Sequence, residues 1–394
     1  MTAQHANAVS GPEGPRTAGA GPDGGAAGTG TPGTAAAGTA TATAAPPAPE
    51  CAGASPRLKP LFRVAQRVAQ RWNDLRTRQA KRGDYVAQVV AYRGYGSTRR
   101  VRVLGRVMYS RPGLHGESDA FNNFRGWVSF TSVPIQHAEV TVEIGATRAV
   151  VHADAGGVVD ALVDVELEPG WHEARMSADG AEPDTAQVLV VEPGAGFGIV
   201  SDIDDTVMVT ALPRPFLALW NTFVLSERAR TPTPGMAVLL DRLATEHPEA
   251  PIVYLSTGPW NAAPTLQRFL GRNLYPAGPL LLTDWGMTPE RWFRSGRDHK
   301  RENLERLAAE FPGIRWLLVG DNGQHDESIY AEFAAAHPDS VAAVAIRELS
   351  PGQAVFSGGT THDAAGGASR PGLTWASAPD GAGLAQQLES AGVL

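Results

Sequence analysis

The spacing of apolar residues divides the chain into parts with different periods. Between residues 85 and 193, apolar residues alternate with polar or small ones in short runs, most clearly at Val140, Val142 and Ile144. Alternation with a period of two is typical of strands that bury one face. Roughly seven or eight such runs, separated by turn residues, predict an all-β domain of the sandwich type. The runs contain no cluster of nucleophiles or metal ligands, so we expect a recognition, docking or scaffold role for this part.

From residue 194 onward, the apolar runs are continuous and alternate with helical patterns. Strands are predicted at 197–200, 252–255, 280–282, 316–319 and 341–346. Helices are predicted at 236–246, 264–270, 300–311 and 383–391, with Trp375 in the same layer. Continuous apolar strands between helices are typical of a parallel sheet that is covered on both faces. Residues 194–394 are therefore expected to form an α/β domain with a parallel sheet.

The first 82 residues differ from the rest in composition. Residues 1–56 are almost wholly Ala, Gly, Pro and Thr and contain the single cysteine, Cys51, so an internal disulfide is excluded. A segment of this kind cannot bury enough apolar surface to offset the entropy of ordering, and we expect a disordered leader. Residues 57–82 instead carry nine basic residues against one acid, with apolar residues at helical spacing.

The basic amphipathic helix predicted at 57–82 has three interpretations. The first places it on an anionic membrane surface, with its arginines and Trp72 at the interface. The second packs it against the following domain with a solvated basic face. Nucleic acid is a weaker third, because the segment lacks the signatures of nucleic-acid-binding modules, and we expect no nucleic-acid partner. The first two interpretations stay open.

Hydropathy sets the expected location. No apolar run approaches the roughly 18 residues of a membrane span. Residues 1–30 lack the basic start and the apolar centre of a secretion signal. We therefore expect a cytoplasmic protein, with peripheral membrane contact if the basic helix binds lipid.

Two aspartates follow the first predicted strand of the α/β part. Ligands of open α/β sheets bind at the carboxyl ends of the strands, so Asp202 and Asp204 are expected to face a cleft. A calcium loop is excluded because its sixth position, normally glycine, is Val207, and its twelfth, normally glutamate, is Pro213. An acidic turn on the surface is the remaining alternative.

Each predicted strand except the fifth is associated with polar residues of a defined kind. Ser256 follows the second strand, Lys300 precedes the fourth, and Asp321 and Asp326 follow the fourth. Phosphate monoesters are so inert that catalysis must lower the barrier by an amount on the order of 25 kcal/mol. A nucleophile, a metal ion and several charge-stabilising donors must share this load. The set therefore predicts phosphoryl transfer.

The residue types suggest a role for each group. Asp202 would attack phosphorus, and Asp204 would protonate the leaving oxygen and later deprotonate the attacking water. Lys300 would neutralise charge between nucleophile and phosphate, and Ser256 would donate a hydrogen bond to a phosphoryl oxygen.

Magnesium is the expected cofactor. Mg²⁺ prefers a few carboxylates together with waters and phosphate oxygens, so Asp202, Asp321 and the backbone carbonyl of Asp204 are its predicted ligands. Asp326 would hold Lys300 or support the metal.

These motifs carry a resemblance to a known family. The order D-x-D-x-T, strand-Ser, Lys and G-D-x4-D resembles the four motifs of the haloacid dehalogenase superfamily. The strings SDIDDTV, YLSTGPW, HKRENLERL and LVGDNGQHDESIY are similar to the catalytic domain of actin-patch-type phosphatidate phosphatases and their bacterial relatives. The resemblance covers about residues 190–350, and residues 89–108 resemble, less specifically, the β-rich region that precedes that domain.

The resemblance implies a fold and an activity. The fold would be a five-stranded Rossmann-like sheet ordered 5-4-1-2-3, and the reaction would be magnesium-dependent conversion of phosphatidate to diacylglycerol. Thr257-Gly258 stands where the eukaryotic branch would have Asn-Ser, which leaves the exact substrate open. Two alternatives remain: a phosphatase of soluble phosphomonoesters or phosphoproteins, and a non-catalytic binding or scaffold protein that uses the β-domain and the basic helix.

Several further residues flank the proposed site. His299 and His325 lack metal-ligand spacing, and we expect them to be hydrogen-bonding loop residues. The tryptophans that follow the second and third strands are expected to pack in the core, with an acyl groove as the alternative; they are Trp260, Trp285 and Trp292. The apolar insert at 211–225 is expected either to cap the site and touch lipid or to pack on the protein.

Overall fold

The computed structural model describes residues 43–44, 85–110, 132–209, 231–283, 296–323, 325–350 and 372–394. The expectations for the leader (beyond Thr43 and Ala44), the basic helix and the insert at 211–225 lie outside these ranges, as do Trp285 and Trp292. No helix within the described ranges has the length and apolar character needed to cross a membrane.

The first half of the described chain is a β-rich sheet. Its ten described strands are β1 (Thr43–Ala44), β2 (Val86–Gly96), β3 (Arg100–Ser110), β4 (Val133–Pro134), β5 (Glu139–Ile144), β6 (Thr147–His152), β7 (Val158–Asp164), β8 (Gly170–Ala178), β9 (Ala181–Glu182) and β10 (Asp184–Val190). The path runs β1-β7-β3-β2-β10-β8-β5-β6, while β4 pairs with β3 and β9 pairs with β2. Pairing is antiparallel except where β10 and β9 run parallel to β2.

The expected β-sandwich is wrong in one respect, because the described strands form one continuous curled sheet instead of two separate ones. Strands β2 and β3 are each 11 residues long, and their register shifts between Tyr92 and Tyr95. An irregularity of this kind bends a strand and increases its twist. The bend brings strands from distant positions of the path around one core, which includes Val101, Val142 and Val159.

Strand β3 has two buried faces, which its sequence pattern did not predict. Val101, Val103 and Val107 point into the core of the curled sheet. Leu104 points the other way, into the core of the second half of the chain. The alternating positions of β3 are therefore divided between two cores.

The second half of the chain is built on a parallel sheet. Its six described strands are β11 (Phe197–Asp202), β14 (Ile252–Pro259), β15 (Leu280–Thr283), β16 (Arg315–Asp321), β17 (Val341–Arg347) and β18 (Thr374–Ala378), in the order β15-β14-β11-β16-β17-β18. Every neighbouring pair in this sheet is parallel. A separate two-stranded antiparallel sheet consists of β12 (Met208–Val209) and β13 (Thr231–Pro232).

Helices accompany these strands. The described helices are α1 (Met236–Glu246), α2 (Ala263–Arg272), α3 (Gly296–Glu310), α4 (Asp326–Ala336) and α5 (Gly381–Ser390). Two short 3₁₀ helices cover Trp260–Ala262 and Pro338–Ser340.

The order of the first five parallel strands agrees with the expected 5-4-1-2-3. The expected count of five strands is wrong, because β18 adds a sixth at the edge beside β17. In β18, Trp375 is the single large apolar residue, so the short segment gives a weak strand signal. Helix α4 was also not predicted from the sequence.

The central strands explain why the sheet forms. In β11 and β16, Ile199, Val200, Leu317, Leu318 and Val319 are all fully buried. Burial of one such side chain contributes about 1.5–3 kcal/mol. Because these strands are parallel, their carboxyl ends meet at one edge of the sheet, where β11 ends at Asp202 and β16 ends at Asp321.

Leu318 and Leu274 provide a matched test of this core. Leu318 is fully buried, whereas Leu274, just after α2, is 80 % exposed. We expect Leu318→Ala to lower the free energy of unfolding by about 2–5 kcal/mol, because it leaves a cavity in the central strand. Leu274→Ala is expected to change it by about 0.5 kcal/mol or less. Urea unfolding followed by circular dichroism measures both, and equal losses would contradict the placement of Leu318 in the core.

Candidate active site

The nucleophile candidate lies where β11 ends and a tight turn begins. Asp202 is the last residue of β11 and is 1 % exposed. The carbonyl of Ile203 accepts hydrogen bonds from the backbone N–H groups of Val207 and Met208, both at 3.0 Å, and so closes the turn. Asp205 has a φ of 59°, a left-handed conformation that aspartate adopts more readily than most residues. The turn therefore holds the D-x-D-x-T residues directly beyond the sheet edge.

The register of the sheet determines which residues flank Asp202. Asp202 pairs with Leu255 of β14, so Ser256 is the next residue along that neighbouring strand. On the other side, Ser201 pairs with Val319 of β16, which places Asp321 two residues further on. Three of the predicted site residues therefore meet at one edge for topological reasons.

Lys300 forms the centre of the cluster. It lies in the N-terminal part of α3 and is 2 % exposed. Its Nζ donates to Asp202 Oδ1 at 2.6 Å and to Asp326 Oδ1 at 2.5 Å. The structure thus brings Lys300 between the nucleophile candidate and the second acid of the G-D-x4-D motif.

The two acids of that motif are held by short-range contacts. The backbone N–H of Gly323 donates to Asp321 Oδ1 at 2.7 Å. Asp326 begins α4 and is fully buried. A Cβ at Gly320 would lie 2.6 Å from Asp326 Oδ2 and 2.8 Å from the ring of Tyr330, so the motif requires glycine at this position.

Three carboxylates provide a candidate cation site. Asp202, Asp321 and Asp326 each offer one oxygen, and these oxygens lie within 4.8 Å of one another. Asp202 Oδ2 is buried and accepts no hydrogen bond from the described part of the chain. With Lys300 charged, three ionised carboxylates would leave two uncompensated negative charges. Hard oxygen ligands with this charge balance fit Mg²⁺.

Asp326 was expected to support the site, and the geometry includes it among the candidate ligand atoms. The backbone carbonyl of Asp204, expected to be a metal ligand, stays a prediction.

The buried charges shift one another's pKa values. Burial raises the pKa of Asp202 well above its ordinary value; the Lys300 charge opposes this shift, and the neighbouring aspartates add to it. Burial also raises the pKa of Asp321, with Asp326 adding to the shift and Lys300 opposing it. For Lys300, burial alone would lower the pKa, but the charges of the three aspartates outweigh burial and raise it. Lys300 is therefore charged throughout the neutral range, and the carboxylates favour any further positive charge.

Asp204 and Ser256 contact each other. Ser256 Oγ donates to Asp204 Oδ2 at 2.8 Å and accepts from the backbone N–H of Gly258 at 3.0 Å. Ser256 was expected to donate to a phosphoryl oxygen, and in this structure its hydroxyl is directed at Asp204. Phosphate binding through Ser256 would therefore require the hydroxyl to exchange this partner.

One charged residue at the same edge was not predicted from the sequence. No defined polar residue was expected at the end of the fifth strand, but Arg347 ends β17 and is buried. Arg347 Nη1 donates to the backbone carbonyl of Asp205 at 2.5 Å and so contacts the left-handed turn beyond the nucleophile candidate. The available signal was a basic residue directly after an apolar run, which in a parallel sheet points to the ligand-binding edge.

The flanking candidates have structural contacts. His299 Nε2 lies 3.4 Å from the carbonyl of Leu281, and its own carbonyl accepts from Asn303 Nδ2. The position expected for His299, in a loop, is wrong, because this residue lies within helix α3. The carbonyl of His325 accepts from Ser328 Oγ at the start of α4. Trp260 is buried, which confirms the packing expectation for this residue.

Comparison with known proteins identifies what this part of the chain is similar to. Residues 197–348 match the family model described as "Phosphatidate phosphatase APP1, catalytic domain". The expected resemblance to the catalytic domain of phosphatidate phosphatases is therefore confirmed over this region, and so is the expectation of a phosphatase-type enzyme domain. The resemblance to the haloacid dehalogenase superfamily stays a prediction. The matched range includes Asp202, Asp204, Ser256, Lys300, Asp321 and Asp326.

Two curated fungal proteins are similar over part of their length. An uncharacterised protein of Schizosaccharomyces pombe is 28 % identical over 159 residues, which cover 39 % of this chain and 25 % of that protein. The phosphatidate phosphatase APP1 of Saccharomyces cerevisiae is 25 % identical over 153 residues, covering 39 % of this chain and 26 % of that protein. The chain thus spans about a quarter of the length of these relatives.

Solved structures add little to this assignment. A carbohydrate acetylesterase from Xanthomonas citri aligns over 67 % of this chain and 68 % of its own, with 12 % identity and a TM-score of 0.24. A likeness this weak carries no argument about fold or function. The similarity that bears on function is that of residues 197–348 to the phosphatidate phosphatase APP1 catalytic domain.

Proposed function

We propose that the chain is a magnesium-dependent phosphatase that works through an aspartyl-phosphate on Asp202 and acts on phosphatidate. One observation carries the proposal: a buried lysine joins Asp202 to Asp326 while Asp321 lies within metal-sharing distance of both. This cluster lies in the segment that is similar to a phosphatase catalytic domain. The combination supplies a nucleophile, a cation site and a fixed positive charge, which are the parts that phosphoryl transfer requires.

Asp202, Asp321 and Asp326 would hold the metal ion. Bound there, Mg²⁺ would supply a Lewis acid that withdraws charge from the phosphoryl oxygens. The buried Asp202 Oδ2 and the excess of negative charge support this assignment.

In the first step, the Asp202 carboxylate attacks phosphorus. A bond forms between an Asp202 oxygen and phosphorus, and the bond from phosphorus to the leaving oxygen breaks. Asp204 gives its proton to that oxygen, so diacylglycerol leaves as an alcohol. Lys300 holds Asp202 through Oδ1 and carries positive charge next to the phosphoryl group.

In the second step, water attacks the phosphorus of the aspartyl-phosphate. Asp204, now a carboxylate, takes a proton from this water, and the bond between phosphorus and Asp202 breaks. Inorganic phosphate leaves, and Asp202 regains its starting state. Because Asp204 contacts Ser256 in this structure, movement of the Ser256 hydroxyl onto a phosphoryl oxygen would release Asp204 for proton transfer.

Phosphatidate as substrate rests on the similarity to the catalytic domain of a phosphatidate phosphatase. The basic segment 57–82 agrees with a substrate in an anionic membrane, since nine basic residues there would attract acidic lipids. We accordingly propose a cytoplasmic enzyme that contacts the membrane peripherally.

Replacement of the nucleophile provides the first test. We expect Asp202→Asn to reduce phosphate release from dispersed phosphatidate in Mg²⁺ by at least about 1000-fold, because an amide cannot form the aspartyl-phosphate. Asp339→Asn is the matched control, since Asp339 is exposed and precedes β17 at the opposite edge of the sheet. A soluble aryl phosphate is assayed in parallel. Equal activity of the two variants would reject the mechanism, and preference for the aryl phosphate would reject phosphatidate as the substrate.

Metal binding can be tested without an activity assay. We expect Mg²⁺ to raise the thermal unfolding midpoint of EDTA-treated protein, because a ligand at 100 times its Kd stabilises the folded state by about 2.7 kcal/mol. Asp321→Asn should remove most of this shift, and Asp339→Asn should retain it. Differential scanning fluorimetry measures the midpoint, and an unchanged shift in Asp321→Asn would place the ion elsewhere.

Replacement of Lys300 is expected to change how the free energy of unfolding depends on pH. In Lys300→Met, Asp202 and Asp321 lose the positive charge that opposes the rise of their pKa values, so their folded-state pKa values would lie further above the unfolded ones. A raised carboxyl pKa stabilises the folded state at low pH, and this contribution is lost as the pH rises. In EDTA, we expect the variant to be less stable than wild type by about 3–5 kcal/mol at pH 8, with a smaller deficit near pH 5.

Urea unfolding at both pH values measures this difference. Arg301→Met is the control, because Arg301 lies on the same helix and its partner Glu332 is exposed. A deficit that grows on acidification would contradict the assigned charges.

A further inference from the structure

The outward face of the β-rich sheet touches two elements that carry active-site residues. This face is formed by alternate residues of β2 and β3, and it includes Tyr92, Arg102 and Arg106. Arg102 and Arg106 are buried although they are charged. Burial of a guanidinium is costly unless partners compensate, so the partners indicate what the face holds.

The first contact is with the segment that follows Ser256. Trp260 stacks on Tyr92 with ring centroids 4.8 Å apart and an interplanar angle of 18°. Arg106 donates through Nη1 to Asn261 Oδ1 and through Nε to the carbonyl of Gly156 at 3.3 Å. Arg106 therefore links the β-rich sheet to the residues directly after β14. The irregular last part of β14, residues 256–259, is called the Ser256 loop.

The pairing of the Ser256 loop with the neighbouring strand of the parallel sheet is irregular. The register between β14 and β15 shifts between Leu255 and Pro259, so the regular ladder is interrupted where Ser256 lies. Thr283 of β15 donates to the carbonyls of Thr257 and Gly258 from within the sheet. The residues that follow, Trp260 and Asn261, are contacted from outside the parallel sheet by Tyr92 and Arg106.

The second contact is with the helix that carries Lys300. Arg102 donates to Glu310 of α3 and to Asp160 of β7. Arg306 of α3 also contacts Asp160, at 3.0 Å. One face of the sheet thus holds the far end of α3, while the near end of the same helix presents Lys300 to Asp202.

We propose that the β-rich sheet positions the active site, with Arg106 and Tyr92 fixing the Ser256 loop and Arg102 fixing helix α3. These three are positioning residues, since each acts through another element. Transition-state groups must be held to a fraction of an ångström, and a displacement of about 1 Å can cost a factor of 100. The kinetic part of this inference rests on the proposed phosphatase function.

Arg106→Ala and Arg102→Ala test the proposal against Arg100→Ala. Arg100 lies on the same strand, but its partner Asp164 is in the β-rich sheet and the pair is exposed. We expect the two buried-arginine variants to lose about 10- to 100-fold in kcat, with a smaller change in KM, because Ser256 and Lys300 act on the transition state. Arg100→Ala should retain the wild-type kcat. Rates are divided by the folded fraction, measured by circular dichroism in the assay buffer.

Conservative and double variants separate positioning from general stability. Tyr92→Phe keeps the ring that stacks on Trp260 and should stay close to wild type, whereas Tyr92→Leu should lose kcat. The double variant Asn261→Ala, Arg106→Ala should lose no more kcat than Arg106→Ala alone, because the two substitutions remove the same hydrogen bond. Full kcat per folded molecule in all the buried-face variants would overturn the proposal.

Hydrogen–deuterium exchange tests, independently of activity, whether the β-rich sheet fixes the two segments. We expect faster exchange in peptides covering 256–262 in Arg106→Ala and in those covering 297–306 in Arg102→Ala, with unchanged exchange in β16. Unchanged exchange in both segments would overturn the proposal even if the kcat values fell. A wild-type protein that releases no phosphate would reject the proposed function, and the exchange result would still decide whether the sheet positions these segments.

Discussion

The structure depends on a buried lysine that joins two aspartates. Lys300 donates to Asp202 and Asp326 where none of the three is more than 3 % exposed. Removing a charge from water costs several kcal/mol, so these groups persist in the core because each compensates another. The compensation is incomplete, since Asp321 adds a further negative charge nearby. This excess of negative charge at a buried site is what supports the proposed binding of a divalent cation.

The fold brings these charges together by topology. Parallel strands present their carboxyl ends at one edge, and the adjacency of β14, β11 and β16 places Ser256, Asp202 and Asp321 side by side. Helix α3 adds Lys300 and helix α4 adds Asp326 from outside the sheet. Each candidate site residue lies on, or next to, a strand or helix that packs into the apolar core. The packing of these elements is therefore sufficient to bring the residues together.

The features that were predicted from the sequence are those that depend on short-range patterns. Continuous apolar runs identified five parallel strands, and polar residues at their ends identified Asp202, Ser256 and Asp321. The sequence did not predict how distant strands meet, because periodicity shows which face is apolar and not what covers it. Arg102 and Arg106 occupy the polar positions of an alternating strand, which in a half-buried strand face solvent, yet both are buried. Arg347 was missed for a related reason: one basic residue after an apolar run is common and becomes meaningful only with the strand order.

The β-rich sheet and the parallel sheet share one apolar core near the site. Tyr92, Tyr95 and Leu104 belong to the same apolar cluster as the central strands of the parallel sheet. The family similarity covers residues 197–348, but a chain cut to that range would lose the ring that covers Trp260 and the guanidinium that pairs with Glu310. Glu310 would then lack its Arg102 partner at the end of α3, and Trp260 would expose its ring next to the Ser256 loop. The proposed chemistry lies in the parallel sheet, whereas part of the packing of that sheet is supplied by a neighbouring sheet that contributes no predicted catalytic residue.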